Sequence, residues 1–162
     1  MISYRKAERE DTALISRLAE SIWKQHYISI IGIEQIEYML KNMYSAESLL
    51  NQMNEGHVFT LAYENGTAVG YISVSTKDQR NYFLHKFYVA MNEQRKGRGT
   101  ALFNHILAGL KGAERIELTV NRKNYKAINF YFRNGFVIKD VADFDIGSGY
   151  FMNDFIMVKR LK

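Results

Sequence analysis

At Gly56 the hydrophobic period of the chain changes, and few architectures accept the resulting order of elements. Before it, apolar residues recur every three to four positions. Leu14, Ile15, Leu18, Ile22 and Trp23 form one helical stripe, and Ile33, Ile36, Met39 and Leu40 form a second over 33–43. Asp11 is expected to cap the first helix, which runs to about Gln25, and Ser45 a third helix that stops at Gly56. After Gly56 the period becomes two. Residues 57–64 and 67–75 read as strands joined by Asn65-Gly66, a dipeptide suited to a tight hairpin. A more continuously apolar strand follows at 81–90.

The second half alternates elements: a helix after the loop EQRKGRGT, a strand at 115–120, and a helix at 124–134 ended by Asn134-Gly135. Two closing strands, 136–144 and 151–160, flank a loop at Asp145–Gly149. With a short first strand at 2–7, this order predicts a mixed α/β sheet, antiparallel first and then carrying a strand–helix–strand crossover. Neither a linker nor a repeat interrupts residues 1–162, so a single domain is expected.

Composition narrows the function. The 47% apolar and 14% aromatic content supports a packed core rather than a disordered chain. Zero cysteines exclude a disulfide framework, a thiolate metal site and a covalent cysteine intermediate, and they suit a reducing cytoplasm. No apolar run approaches the ~20 residues of a membrane span, and the start MISYRKAERED is too polar for a signal peptide. The net charge of +5 is concentrated: residues 86–133 hold ten Lys/Arg against three Asp/Glu. A nucleic-acid surface spreads its cations over a groove among exposed aromatics. Here they gather around one loop and one helix, which favours a compact anionic ligand.

That loop reads Gln94-Arg95-Lys96-Gly97-Arg98-Gly99-Thr100 and opens a helix, so glycine backbone and a helix N-terminus offer N–H donors to an anion. It is not a P-loop, which needs Gly-Lys-Ser/Thr, and position 102 is Leu where the dinucleotide fingerprint needs glycine. Downstream, LTVNRKNYKAINFYFRNGF places Asn124, Ala127 and Tyr131 on the start and one face of a helix. Taken singly, Gln-x-x-Gly-x-Gly is a weak pattern and Tyr131 reads as a core aromatic.

Together and in this order, Gln94, Gly97 and Gly99 followed by Asn124, Ala127 and Tyr131 resemble the GCN5-related N-acetyltransferase (GNAT) superfamily, over nearly the whole chain. The resemblance implies a three-layer fold: a mostly antiparallel central sheet, a splayed parallel pair of fourth and fifth strands, and helices on both faces. It implies acetyl-CoA as co-substrate, with its pyrophosphate on the backbone of Arg95, Lys96, Gly97, Arg98, Gly99 and Thr100. Its pantetheine arm would lie along Phe87, Tyr88 and Val89 and touch Asn124 and Ala127, and Tyr131 would protonate the departing thiolate. His85 shares a strand face with residues 87 and 89 and is a candidate base; a carboxylate reached through water is the alternative. No metal is expected, because His26, His57 and His105 lack ligand spacing.

The acceptor side would involve the first two helices, where Trp23, Tyr27, Glu34 and Tyr38 could hold a cation by aromatic faces and charge. This segment and Asn153-Asp154 are similar to the Pai-type polyamine acetyltransferases. The resemblance therefore implies a small amine acceptor such as spermidine or spermine, and allows a homodimer. A protein N-terminus or lysine, an amino acid, an aminoglycoside-like amine, or a cofactor-sensing regulator without turnover are the other readings.

Overall fold

A computed structural model of the protein describes residues 1–90 and 97–162. The strands are β1 (Ile2–Lys6), β2 (Val58–Glu64), β3 (Thr67–Thr76), β4 (Asn81–Val89), β5 (Arg115–Asn121), β6 (Val137–Gly147) and β7 (Tyr150–Arg160). The helices are α1 (Thr12–His26), α2 (Ile28–Ile31), α3 (Ile33–Met43), α4 (Ala46–Asn54), α5 (Arg98–Gly109) and α6 (Tyr125–Arg133). Residues 1–75 and 86–111 form one compact unit, and residues 76–85 and 112–162 a second.

In the first unit β1 and β2 pair antiparallel, as do β2 and β3, and the second half of β4 completes the strand order β1-β2-β3-β4. The β2–β3 turn falls on Asn65 and Gly66, both at positive φ (50° and 82°), the pair of angles a two-residue hairpin needs. Gly70 of β3 lies so close to β4 that an added Cβ would stand 2.8 Å from the Tyr88 carbonyl oxygen. Ile15, Ala19, Ile22 and Trp23 of α1, Ile36 of α3 and Leu49 of α4 are buried with Phe59, Leu61 and Ile72. Ser45 caps α4, its hydroxyl accepting from the Ser48 N–H at 3.2 Å.

Two local expectations change. Asp11 occupies the residue before α1, but its carboxylate turns backward to accept from the Glu8 N–H at 2.7 Å and from Arg5, closing a 3₁₀ turn at Arg9–Asp11. The extra short helix α2 ends where Gly32, at φ 80°, donates to the Ile28 carbonyl at 3.2 Å.

The second unit runs β4-β5-β7-β6 and begins with the first half of β4. Asn81–Leu84 pair parallel with Arg115–Leu118, which makes the sheet mixed, and β7 then pairs antiparallel with both β5 and β6. Without proline, the turn into β4 is built by Asp78, whose carboxylate accepts from the Arg80 and Asn81 N–H groups at 2.9 and 2.8 Å. The closing hairpin is tighter than expected. Asp145, Ile146 and Gly147 stay in β6 with a register shift, and the reversal falls on Ser148 and Gly149, at φ 52° and 80°.

Candidate active site

In the first unit, α5 begins at Gly97, which sits in the left-handed region at φ 73°; among the described residues nothing lies within 4 Å of where a Cβ would be. The first intrahelical bond runs from the Ala101 N–H to the Gly97 carbonyl (3.1 Å), so the N–H groups of Arg98, Gly99 and Thr100 precede the helical ladder. Those donors, on a positively polarised helix end, fit a pyrophosphate. Gly99 faces β4: a Cβ there would meet the Phe87 ring at 3.8 Å and Val89 at 3.9 Å. Phe87 stacks on Phe103 of α5 with ring centroids 5.9 Å apart, which holds the helix against the strand. The Arg98 guanidinium pairs with Glu64 at 2.9 Å, so this cation already has a carboxylate partner. Gln94, Arg95 and Lys96 lie outside the described residues.

Tyr88 joins an aromatic cluster in the same unit. Its ring lies 5.5 Å from Trp23, 5.6 Å from Tyr71 and 6.0 Å from Tyr27. Trp23 and Tyr27 are 4.9 Å apart, so the structure brings these two expected acceptor residues together. Both are buried. Glu34 instead lies exposed on the first turn of α3, and Tyr38 is half-buried one turn later. The Tyr71 hydroxyl donates to Tyr44 at 3.0 Å, and burial pushes both phenols above their ordinary range. Lys86, next along β4, is buried at 6% exposure.

The second unit carries the proton-transfer candidates. Asn124 caps α6: its side chain accepts from the Ala127 N–H at 3.4 Å and its own N–H donates to the Asn121 carbonyl at 2.9 Å. Lys123 and Lys126 are exposed beside it. Tyr131, on the last turn of α6, is 7% exposed and packs edge-on against Phe130 and Phe136 at 5.6 and 5.3 Å. His85 is half-buried, 4.8 Å from the Phe83 ring.

Sequence reading gave no catalytic weight to Asp154. It lies within β7, opposite Asn121 at the end of β5, and is the one acidic residue among the described residues that is buried, at 2% exposure. Burial pushes its carboxyl up to about 6, against a hydrogen bond from Thr119 and the nearby Arg122 charge. The readable signal is an acid directly before the apolar run Phe155–Val158 of a strand. Among the described residues no cluster of His, Asp and Glu could hold a metal ion.

Comparison with known proteins identifies the family. The acetyltransferase (GNAT) family profile matches residues 16–136. A spermidine N(1)-acetyltransferase of Thermoplasma acidophilum is 28% identical over 98% of this chain and 97% of its own. An uncharacterized N-acetyltransferase of Mycobacterium tuberculosis is 35% identical over 62% of this chain and 65% of its own. Among solved structures, the PaiA N-acetyltransferase of T. acidophilum in complex with coenzyme A superposes with a TM-score of 0.84 at 29% identity, covering 99% of both chains. The ribosomal-protein-S18-alanine N-acetyltransferase of Escherichia coli shares the fold alone, with a TM-score of 0.74 at 19% identity over 100% of this chain and 95% of its own. With Gly97 and Gly99 opening α5 and Asn124 and Tyr131 on α6, the chain belongs to the acetyltransferase (GNAT) family and is an acetyl-CoA-dependent acyltransferase.

Proposed function

We propose that the protein, working as a single cytoplasmic domain, acetylates a primary amine of a polyamine such as spermidine by direct transfer from acetyl-CoA. The observation that carries the acceptor is the end-to-end similarity to a spermidine N(1)-acetyltransferase. The absence of cysteine leaves no thiol to carry an acetyl group between half-reactions, which supports direct transfer.

An alkylammonium titrates near 10.4, so the site must take a proton before nitrogen can attack the thioester carbonyl. The nitrogen–carbon bond forms and the carbon–sulfur bond breaks. A backbone N–H of β4 near Val89 steadies the oxyanion, and Tyr131 gives its proton to the departing thiolate. The phenolate recovers a proton from the new amide nitrogen. Phe87, Tyr88 and Val89 line the pantetheine arm with Asn124 and Ala127. The backbone of Arg95, Lys96, Gly97, Arg98, Gly99 and Thr100 holds the pyrophosphate. Trp23, Tyr27, Glu34 and Tyr38 face the acceptor. His85 and a buried carboxylate are the two proton acceptors that the chemistry allows.

The test is thiol release from acetyl-CoA with spermidine, spermine, free amino acids, a lysine peptide and an aminoglycoside. Saturable release with the polyamines alone is the expected result. Release with the peptide alone would replace the acceptor, and acetyl-CoA binding without release from any amine would turn the reading toward a regulator.

A further inference from the structure

We propose that Asp154 is the group that takes the proton from the acceptor ammonium. The inference rests on amine acetylation as read above and chooses the carboxylate over His85. Three features carry it, all within the second unit. First, Asp154 sits at the carboxyl end of β5, the strand that pairs parallel with β4, and ligands of such sheets gather beyond those strand ends. Asn121, its register partner, accepts the Asn124 N–H, and Asn124 caps the helix that carries Tyr131. The carboxylate and the capping asparagine therefore share one strand–helix corner, and the phenol is carried on the last turn of the helix that starts there.

Second, a fully buried acid is normally retained with a cation bonded to it. Arg122 does not supply such a bond. Its Nη1 donates to the Asp154 backbone carbonyl at 3.2 Å, and its Nη2 goes to the Asp143 carboxylate at 2.8 Å. The Asp154 carboxylate accepts from the neutral Thr119 hydroxyl. Third, the charges acting on it are opposed: Arg122 at the end of β5 favours the carboxylate, while Asp143 of β6 disfavours it. The group titrates at about 6 and is ionised but weakly hydrated at neutral pH.

The proton balance closes. The carboxylate takes one proton from R–NH₃⁺, the neutral amine attacks, Tyr131 and the amide nitrogen exchange the second proton as above, and Asp154 returns its proton to water. The net products are the acetylated amine, free CoA thiol and one proton.

The test compares pH–rate profiles of kcat/KM for wild type, Asp154→Asn, Thr119→Val and His85→Gln, using whichever amine the wild type acetylates. Wild type should show an acidic limb near pH 6. Asp154→Asn should lose ~10²-fold or more in kcat with an unchanged KM for acetyl-CoA. Thr119→Val, which removes the hydrogen bond to the carboxylate, should move the limb to higher pH, and His85→Gln should leave it in place. Thermal melts separate a structural role: Asp154→Asn should melt at the same temperature as wild type or higher, because the ionised buried form is the one disfavoured by folding. Retained turnover in Asp154→Asn, or a limb that disappears in His85→Gln, would overturn the proposal while leaving amine acetylation intact. A wild type that acetylates no amine would overturn both.

Discussion

Replacing Lys86 with methionine should stabilise the protein at neutral pH. The ammonium is buried and donates to Gln52 Oε1 at 2.7 Å, with Nζ 5.3 Å from the Tyr44 ring and 5.8 Å from that of Phe59. Burial lowers its pKa from 10.5 to about 8, and His57 is the cationisable neighbour that feels its charge. That depression corresponds to about 3 kcal/mol of penalty on the charged form in the fold. The two aromatic faces offset part of it. Methionine also leaves Gln52 Oε1 without its donor, at about 1–2 kcal/mol. The net gain for Lys86→Met at pH 7 is about 1 kcal/mol.

The sign with pH follows from proton binding. Between pH 8 and 10.5 the unfolded lysine holds its proton and the folded one releases it, so wild-type stability from this group rises across that window. The penalty is fully present below pH 8, and Lys86→Met should lack the slope. Urea unfolding at pH 7, 8, 9 and 10, followed by tryptophan fluorescence, measures both effects. A variant less stable than wild type at pH 7, together with an unchanged slope, would refute the reasoning.

Three further outcomes follow from close contacts and caps. Gly70→Ala should destabilise by about 1–3 kcal/mol, since its Cβ would press on the backbone of Tyr88 and Val89; a thermal melt reads the loss. Asn124→Ala should cost about 1 kcal/mol through the lost cap of α6, and Asn124→Ser should restore most of it in denaturant titrations. Tyr131→Phe should leave acetyl-CoA affinity unchanged by calorimetry and lower turnover by ~10²-fold or more in the thiol assay.

What the sequence reveals here is local chemistry. Asn65-Gly66 sets its own backbone angles, Ser45 bonds a nitrogen three residues on, and the apolar stripe of α3 matches Ile33–Met43 because its period is uninterrupted. The misread elements turn on partners further away or on rarer angles. Asp11 is drawn backward by Arg5 and the Glu8 N–H. The β-branched run in α2 hides a single helical turn that Gly32 closes. Ser148, a non-glycine residue, takes the positive φ that tightens the last hairpin.

The candidate site divides in the same way. Gly97, Gly99 and Asn124 could be picked out because helix entrances have short-range signatures, and Tyr131 because it follows Asn124 and Ala127 at helical spacing. The pairing of Arg98 with Glu64 and the burial of Asp154 and Lys86 arise from residues far along the chain, which no local pattern records.

The single tryptophan makes the aromatic cluster an optical instrument. Trp23 lies 4.9 Å from Tyr27 and 5.5 Å from both Tyr44 and Tyr88, close enough for light absorbed by these phenols to be emitted by the indole. Tyrosine excitation therefore reports the integrity of this cluster, and rotation of the Tyr88 or Tyr27 ring changes that transfer without any label.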